Sequence, residues 1–250
     1  MPKIVVFDSG LGSLSVIKPI RKKIKAEVIY FADQDNYPYG TKSARQLDKI
    51  IKSTMVKLQE KFDPDIIVVG SNTPSLLLDI EKKNKIIGVF PPVKEAVSKT
   101  KTGRIGILAT SSVVKSKSLD KYIKQNISSK IQVTKINASL LVDLVESGKF
   151  LTKKQISKKI IRKILSPHVE KNIDVLTLSS THLPFLLPIL KELFTNVMFL
   201  DPADSVAQHI SDVLKHKKSK NSLKIYASGD IEKFQKKLIK IGIKNKVNQL

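Results

Sequence analysis

Two short stretches carry side chains that could hold a small polar molecule and move its protons. One is Val68-Val69-Gly70-Ser71-Asn72-Thr73-Pro74, the other Thr177-Leu178-Ser179-Ser180-Thr181-His182-Leu183-Pro184. Each sets a serine beside hydroxyl, amide or imidazole groups, and each follows an apolar run (Ile66 to Val69; Val175 to Leu178). A third stretch, Asp8-Ser9-Gly10-Leu11-Gly12-Ser13, follows the apolar run Ile4 to Phe7. A strand, a glycine-rich turn and a helix start together make a cradle of backbone N–H groups suited to an anion. The acid at its head argues against phosphate. Asp8 suits an ammonium group or a proton transfer, and equally suits capping the helix that follows.

The chain holds no cysteine, which excludes disulfides, thiolate metal sites and thiol nucleophiles. Its histidines are His168, His182, His209 and His216, too few and too scattered for a histidine-rich metal site. No metal or cofactor is expected.

The elements that must position these residues are legible from periodicity. Apolar runs at Ile4–Phe7, Val28–Phe31, Ile66–Val69, Lys85–Val89, Arg104–Leu108, Ile131–Ile136, residues 174–178, Val197–Leu200 and Ile225 onward read as strands. Helical spacing appears between them. Leu14, Ile17, Ile20 and Ile24 mark one helix. Leu47, Ile50, Ile51, Met55 and Leu58 mark another, capped by Thr41 or Ser43. Further helices are expected at about 74–82, at 153–170 (Ile156, Ile160, Ile161, Ile164 and Leu165 on one face), from Leu186 to Leu193, after Asp201-Pro202-Ala203 (Val206, Ile210, Val213, Leu214), and at the end of the chain (Phe234, Leu238, Ile239). Leu140 to Glu146 reads as a helix start or loop. The order strand, polar exit, then strand with a serine motif occurs twice, an architectural repeat. Alternating strands and helices imply parallel sheets, and open α/β sheets bind ligands at the carboxyl ends of their strands.

With 250 residues and 41% hydrophobic content the chain can bury a sizeable core. No apolar run reaches the roughly 20 residues of a membrane helix, and Ile4–Phe7 starts without a signal-peptide pattern; a cytoplasmic protein away from membranes is expected. The net charge of +23 is mostly lysine, spread along the chain and without tryptophan for stacking. Solvated helix faces account for it better than specific nucleic-acid binding. Lys215-His216-Lys217-Lys218-Ser219-Lys220 reads as an exposed basic loop.

The motifs, taken in order, resemble the cofactor-independent glutamate racemases of the aspartate/glutamate racemase superfamily. The likeness runs through Phe7-Asp8-Ser9-Gly10-Leu11-Gly12, Tyr30-Phe31-Ala32-Asp33 with Pro38-Tyr39-Gly40, Gly70-Ser71-Asn72-Thr73, Leu144-Val145-Glu146, Ser180-Thr181-His182-Leu183-Pro184, Asp201-Pro202-Ala203 and Ser228-Gly229-Asp230. It implies two pseudo-symmetric three-layer α/β domains with mainly parallel sheets and an active-site cleft between them. The expected division is 1–92 plus 205–250 and 93–204. It also implies interconversion of L- and D-glutamate, or a similar acidic amino acid, by α-proton transfer without pyridoxal phosphate. A homodimer fits the family. The resemblance places Asp8, Ser9, Tyr39, Gly40, Asn72, Thr73, Thr181 and His182 around the substrate, and Ser71, Ser180, Asp8, His182 and Glu146 in catalysis.

This sequence departs from the family pattern where the chemistry is done. Ser71 and Ser180 stand where the family's motifs carry cysteine, and Ser139 where many relatives have cysteine. Val113 replaces a common threonine, and Phe90-Pro91 a familiar acidic-proline pair. A thiol titrates near about 8.5, whereas a serine hydroxyl lies nearer water at about 15.7. The gap is worth on the order of 10 kcal/mol, and general-base help recovers only about 10²–10⁴-fold. Three readings follow: a racemase-type enzyme working with serines or other bases, assisted by His182 near Ser180 and Asp8 near Ser71; a catalytically silent binder of glutamate or a small dicarboxylic acid; or serines introduced in place of cysteines.

Overall fold

The computed structural model describes residues 1–80, 85–128, 130–214 and 220–250. Its strands are β1 (Lys3–Asp8), β2 (Glu27–Ala32), β3 (Ile66–Val69), β4 (Ile86–Gly88), β5 (Arg104–Ala109), β6 (Gln132–Asn137), β7 (Val175–Leu178), β8 (Met198–Leu200), β9 (Ser222–Ala227) and β10 (Val247–Gln249). They form two sheets, ordered β10-β9-β2-β1-β3-β4 and β6-β5-β7-β8. Every pairing described is parallel.

The repeat read from the sequence is thus a repeat of topology. In each sheet the first strand of the half (β1 or β5) lies between the second and the third. The chain leaves it in opposite directions, and a crevice opens at that switch point, at the carboxyl ends of the strands. β1 ends on Asp8 and β3 runs into Gly70-Ser71; β7 runs into Ser179-Ser180.

Both sheets are covered on both faces, so alternate residues of one strand enter different cores. Ile4 and Val6 pack with Val16, Ile20, Ile210, Phe234 and Leu238. Val5 and Phe7 pack on the opposite face with Leu47, Ile51 and Leu58. In the second sheet Leu108, Leu176 and Leu178 pack with Leu141, Ile161 and Leu165, while Ile107 and Ala109 face Val93, Val113 and Leu119.

The C-terminal segment joins the first sheet through β9 beside β2. Helix Ala203–Leu214 packs in the same core as helix Leu14–Lys23. Helix Ala44–Phe62 starts at Ser43: its Oγ accepts from Gln46 N–H at 3.3 Å while Gln46 Oε1 accepts from Ser43 N–H at 3.0 Å, a reciprocal cap.

Several details differ from the sequence reading. The chain ends on β10, three residues whose composition carries no alternating pattern and which the open edge of β9 recruits. Helices Val93–Lys99 and Lys117–Asn126 are additional elements. The helix after Ser71 spans Asn72–Leu77 rather than reaching residue 82, and residues 81 and 82 lie outside the described chain. Ile156, Val213 and Ile239 are exposed although their spacing joins them to apolar faces; each sits at the margin of its stripe. Of the basic loop, residues 215–219 lie outside the described chain. Among the described residues no helix is long and apolar enough to cross a membrane.

Candidate active site

The serine-bearing strand ends of the two sheets meet across one cleft. The first half contributes Asp8, Ser9, Ser71, Asn72 and Thr73, together with Tyr39 and Gly40 from the loop after β2. The second half contributes Ser180 and His182. Every one of these was expected at the site.

Asp8 lies at the floor, 2% exposed. Its Oδ1 accepts from Ser9 N–H at 2.7 Å and its Oδ2 from Ser13 N–H at 3.2 Å. The aspartate therefore braces the turn into helix Leu14–Lys23 and faces the cleft as well; the two sequence readings of Asp8 are compatible. Burial pushes its pKa up to about 6, against the opposing charge of His182 and the two backbone donors. A carboxyl titrating there can change protonation near neutral pH.

The glycine-rich turn does cradle an anion, and the anion belongs to the protein. Leu11 N–H donates to Glu146 Oε1 at 2.5 Å. His182 Nε2 lies 2.8 Å from the same oxygen, and Lys237 Nζ donates to Oε2 at 3.1 Å. Burial alone would raise Glu146; the hydrogen bond and charge of His182, then Lys237 and Leu11 N–H, bring it down to about 2. Burial likewise disfavours charged His182, but Glu146 and Asp8 carry its pKa above the ordinary value. Gly10 and Gly12 are required by this junction. A Cβ on Gly10 would stand 2.0 Å from Glu146 Oε1, and one on Gly12 2.5 Å from His182 Nδ1.

Two expectations are sharpened by these bonds. Glu146 does not line the cleft but stands behind His182. The Thr181 hydroxyl is turned into the protein, donating to Gly70 C=O at 3.1 Å with Asp8 Oδ2 at 3.4 Å. His182 makes no hydrogen bond to Ser180, nor Asp8 to Ser71; the described bonds of these groups go elsewhere.

Ser71 is the N-cap residue of helix Asn72–Leu77, yet its hydroxyl makes no cap bond. Ser75 takes over part of the local satisfaction, donating to Ser71 C=O at 2.7 Å and accepting from Val89 N–H at 3.0 Å. Asn72 is anchored through Nδ2 to Val89 C=O at 2.9 Å, while its buried Oδ1 has no partner in the protein. A buried acceptor left unpaired beside a cleft fits a ligand N–H.

Tyr37, Pro38, Thr110, Val142 and Ser179 also line the cleft and were not singled out as site residues. Thr110 was findable: it follows β5 as Ser9 follows β1. Its Oγ1 lies 3.4 Å from Thr73 Oγ1 and 3.2 Å from Ser112 Oγ, joining the two halves by hydroxyls. Ser139 is structural, its Oγ accepting from Ser111 N–H at 3.0 Å; Val113 is fully buried in the core. Behind the loop, Asp33 Oδ2 accepts from Tyr39 O–H at 2.8 Å and fixes that wall.

The chain matches the profile of the Asp/Glu/Hydantoin racemase family over residues 4–210. It is 32% identical to a glutamate racemase of Aquifex aeolicus over 230 residues, which covers 90% of this chain and 87% of that protein. It is 30% identical to a glutamate racemase of Bartonella bacilliformis over 239 residues, covering 90% and 87%. The crystal structure of Escherichia coli glutamate racemase in complex with L-glutamate and an activator superposes with a TM-score of 0.85 at 26% identity, covering 100% of this chain and 98% of that one. That of the Aquifex pyrophilus enzyme gives 0.76 at 27% identity, covering 99% and 98%. The doubly repeated fold, the cleft at its switch points and these likenesses agree: the chain belongs to the Asp/Glu/Hydantoin racemase family.

Proposed function

We propose that this cleft binds glutamate, or an acidic amino acid like it, with one face of the α-carbon toward Ser71 and the other toward Ser180. The observation that carries the reading is the convergence of these serines, from equivalent strand ends of two sheets, on one polar cleft. In this reading residues 1–92 with 205–250 form one wall and residues 93–204 the other. The unpaired Asn72 Oδ1 and the Asp8 carboxylate suit the ammonium group. The hydroxyls of Ser9, Thr73 and Thr110 and backbone N–H groups suit the carboxylates. The relatives are named glutamate racemases, which favours racemase-like function over binding alone.

Racemisation moves one proton. The Cα–H bond breaks, its electrons stay on the α-carbon and delocalise into the adjacent carboxylate, and a proton returns from the opposite side. Serine hydroxyls are weak partners for both steps. Asp8 on the Ser71 side, with its pKa near 6, is the better base here. His182 on the other side, whose pKa Glu146 raises against the effect of burial, is the better acid. The rate should be well below that of a two-thiol site. We further expect a cytoplasmic homodimer.

The test is α-proton exchange. Incubating the protein with L- and with D-glutamate in D₂O should wash out the α-proton NMR signal slowly, and Asp8→Asn should abolish the loss. Saturable glutamate binding without any exchange would leave only the silent binder standing. Absence of both would sink the glutamate reading.

A further inference from the structure

Glu146 collects its partners from separate parts of the chain. Leu11 comes from the turn after β1, His182 from the exit of β7, and Lys237 from helix Ile231–Lys240, which packs through Phe234 and Leu238 on the first sheet. Lys237 is the outermost of the three, its side chain about a quarter exposed, against 6% for Glu146. Its ammonium also lies over the Tyr37 ring, 5.6 Å from the centroid, and Tyr37 lines the ligand cleft. One cation outside the cleft therefore touches two groups that shape it.

The division of labour at the carboxylate is specific. Lys237 takes Oε2, leaving Oε1 to Leu11 N–H and His182 Nε2. A buried carboxylate freed of its cation would be able to rotate and would press a full negative charge on His182. Lysines 233, 236 and 240 line the same outer pocket as Lys237, but none of them has a described bond to Glu146. Asp8 is the remaining charge acting on His182, from the cleft side.

The geometry points to Lys237 as a positioning residue of the cleft: by holding Glu146 Oε2 and the Tyr37 ring, it sets the orientation and proton affinity of His182. This rests on the proposed glutamate site for its functional consequence, but not for its structural one. Lys237 lines the outer pocket and is not among the residues that line the cleft.

The experiment compares wild type, Lys237→Met and Lys237→Arg by long-range ¹H–¹⁵N NMR of the histidine rings across pH, and by glutamate calorimetry. His182→Gln identifies the His182 signals. In wild type the neutral ring should carry its proton on Nε2, facing Glu146. In Lys237→Met the His182 midpoint should move to higher pH, because a positive neighbour has been removed, and glutamate affinity should fall. Lys237→Arg should restore both. An unchanged His182 titration, tautomer and glutamate affinity in Lys237→Met would overturn the assignment. If wild type itself binds no glutamate, the functional reading fails, and the NMR titration alone decides whether Lys237 sets His182.

Discussion

The two strand-end motifs occupy equivalent places in equivalent sheets, yet they spend their side chains differently. After β3, Asn72 keeps a buried carbonyl oxygen unpaired, and Thr73 lines the cleft. After β7, the corresponding Thr181 reaches into the other half, to Gly70 C=O and Asp8, while His182 holds Glu146 of its own half, and Glu146 in turn meets the Leu11 turn of the other. Both serines, by contrast, line the cleft. The first motif leaves a polar atom unpaired beside the cleft, while the second commits the side chains of Thr181 and His182 to bonds within the protein. Equivalent places in the repeat thus hold an unpaired buried acceptor in one half and a bonded hydroxyl in the other.

Thiols at the two serines should produce the largest change. Ser71→Cys with Ser180→Cys is expected to raise glutamate α-proton exchange by roughly 10³-fold or more, since a thiolate is far more accessible than an alkoxide. The single replacements sharpen the comparison: Ser71→Cys and Ser180→Cys should each favour exchange from a different enantiomer, read from L- and D-glutamate separately. If the pair stays at the wild-type rate, the walls differ from a racemase in more than sulfur.

The two buried carboxyls should pull stability in opposite directions with pH. Glu146 is held at about 2, below its ordinary 4.5, so its contribution of about 3 kcal/mol is present above pH 4.5 and is lost as pH falls toward 2. Asp8 is raised from 3.8 to about 6. It costs a similar amount above pH 6, and that cost is relieved as pH falls toward 4. Urea denaturation from pH 7 to pH 3 should show Asp8→Asn losing the relief and Glu146→Gln losing the acid sensitivity.

Smaller effects should follow at these bonds. Gly10→Ala drives a methyl into Glu146 and should cost about 1–3 kcal/mol, seen as a lower denaturation midpoint. Thr181→Val removes the bond to Gly70 C=O and should cost about 1 kcal/mol. Asn72→Ala should instead lower glutamate affinity with less effect on stability than Gly10→Ala. Equal losses of affinity and stability in both motifs would erase the division described above.

Much of this was legible in one dimension. A strand buried on both faces reads as a nearly continuous apolar run, so Ile66–Val69 and Val175–Leu178 announced themselves, the second with only Thr177 interrupting it. The polar residues after them had to lie at strand ends, and the repeat of that order fixed the switch-point architecture and most of the cleft. Periodicity was silent about β10, because three residues hold no period. It also missed Thr110, whose partners Thr73 and Ser112 include one from the other half.

Composition and local pattern by themselves determined which residues could be strands and helices, and that Asp8, Ser71 and Ser180 would sit at strand ends. What each polar group binds there was decided only by tertiary structure. Hydrogen-bond partners such as Leu11, Glu146, His182 and Lys237 are remote in sequence, and nothing in their local context announces that they share one carboxylate. The glycine turn illustrates the difference. Its backbone could be read as an anion cradle from its residue types, but only the packing of the second half onto the first supplied Glu146 as the anion.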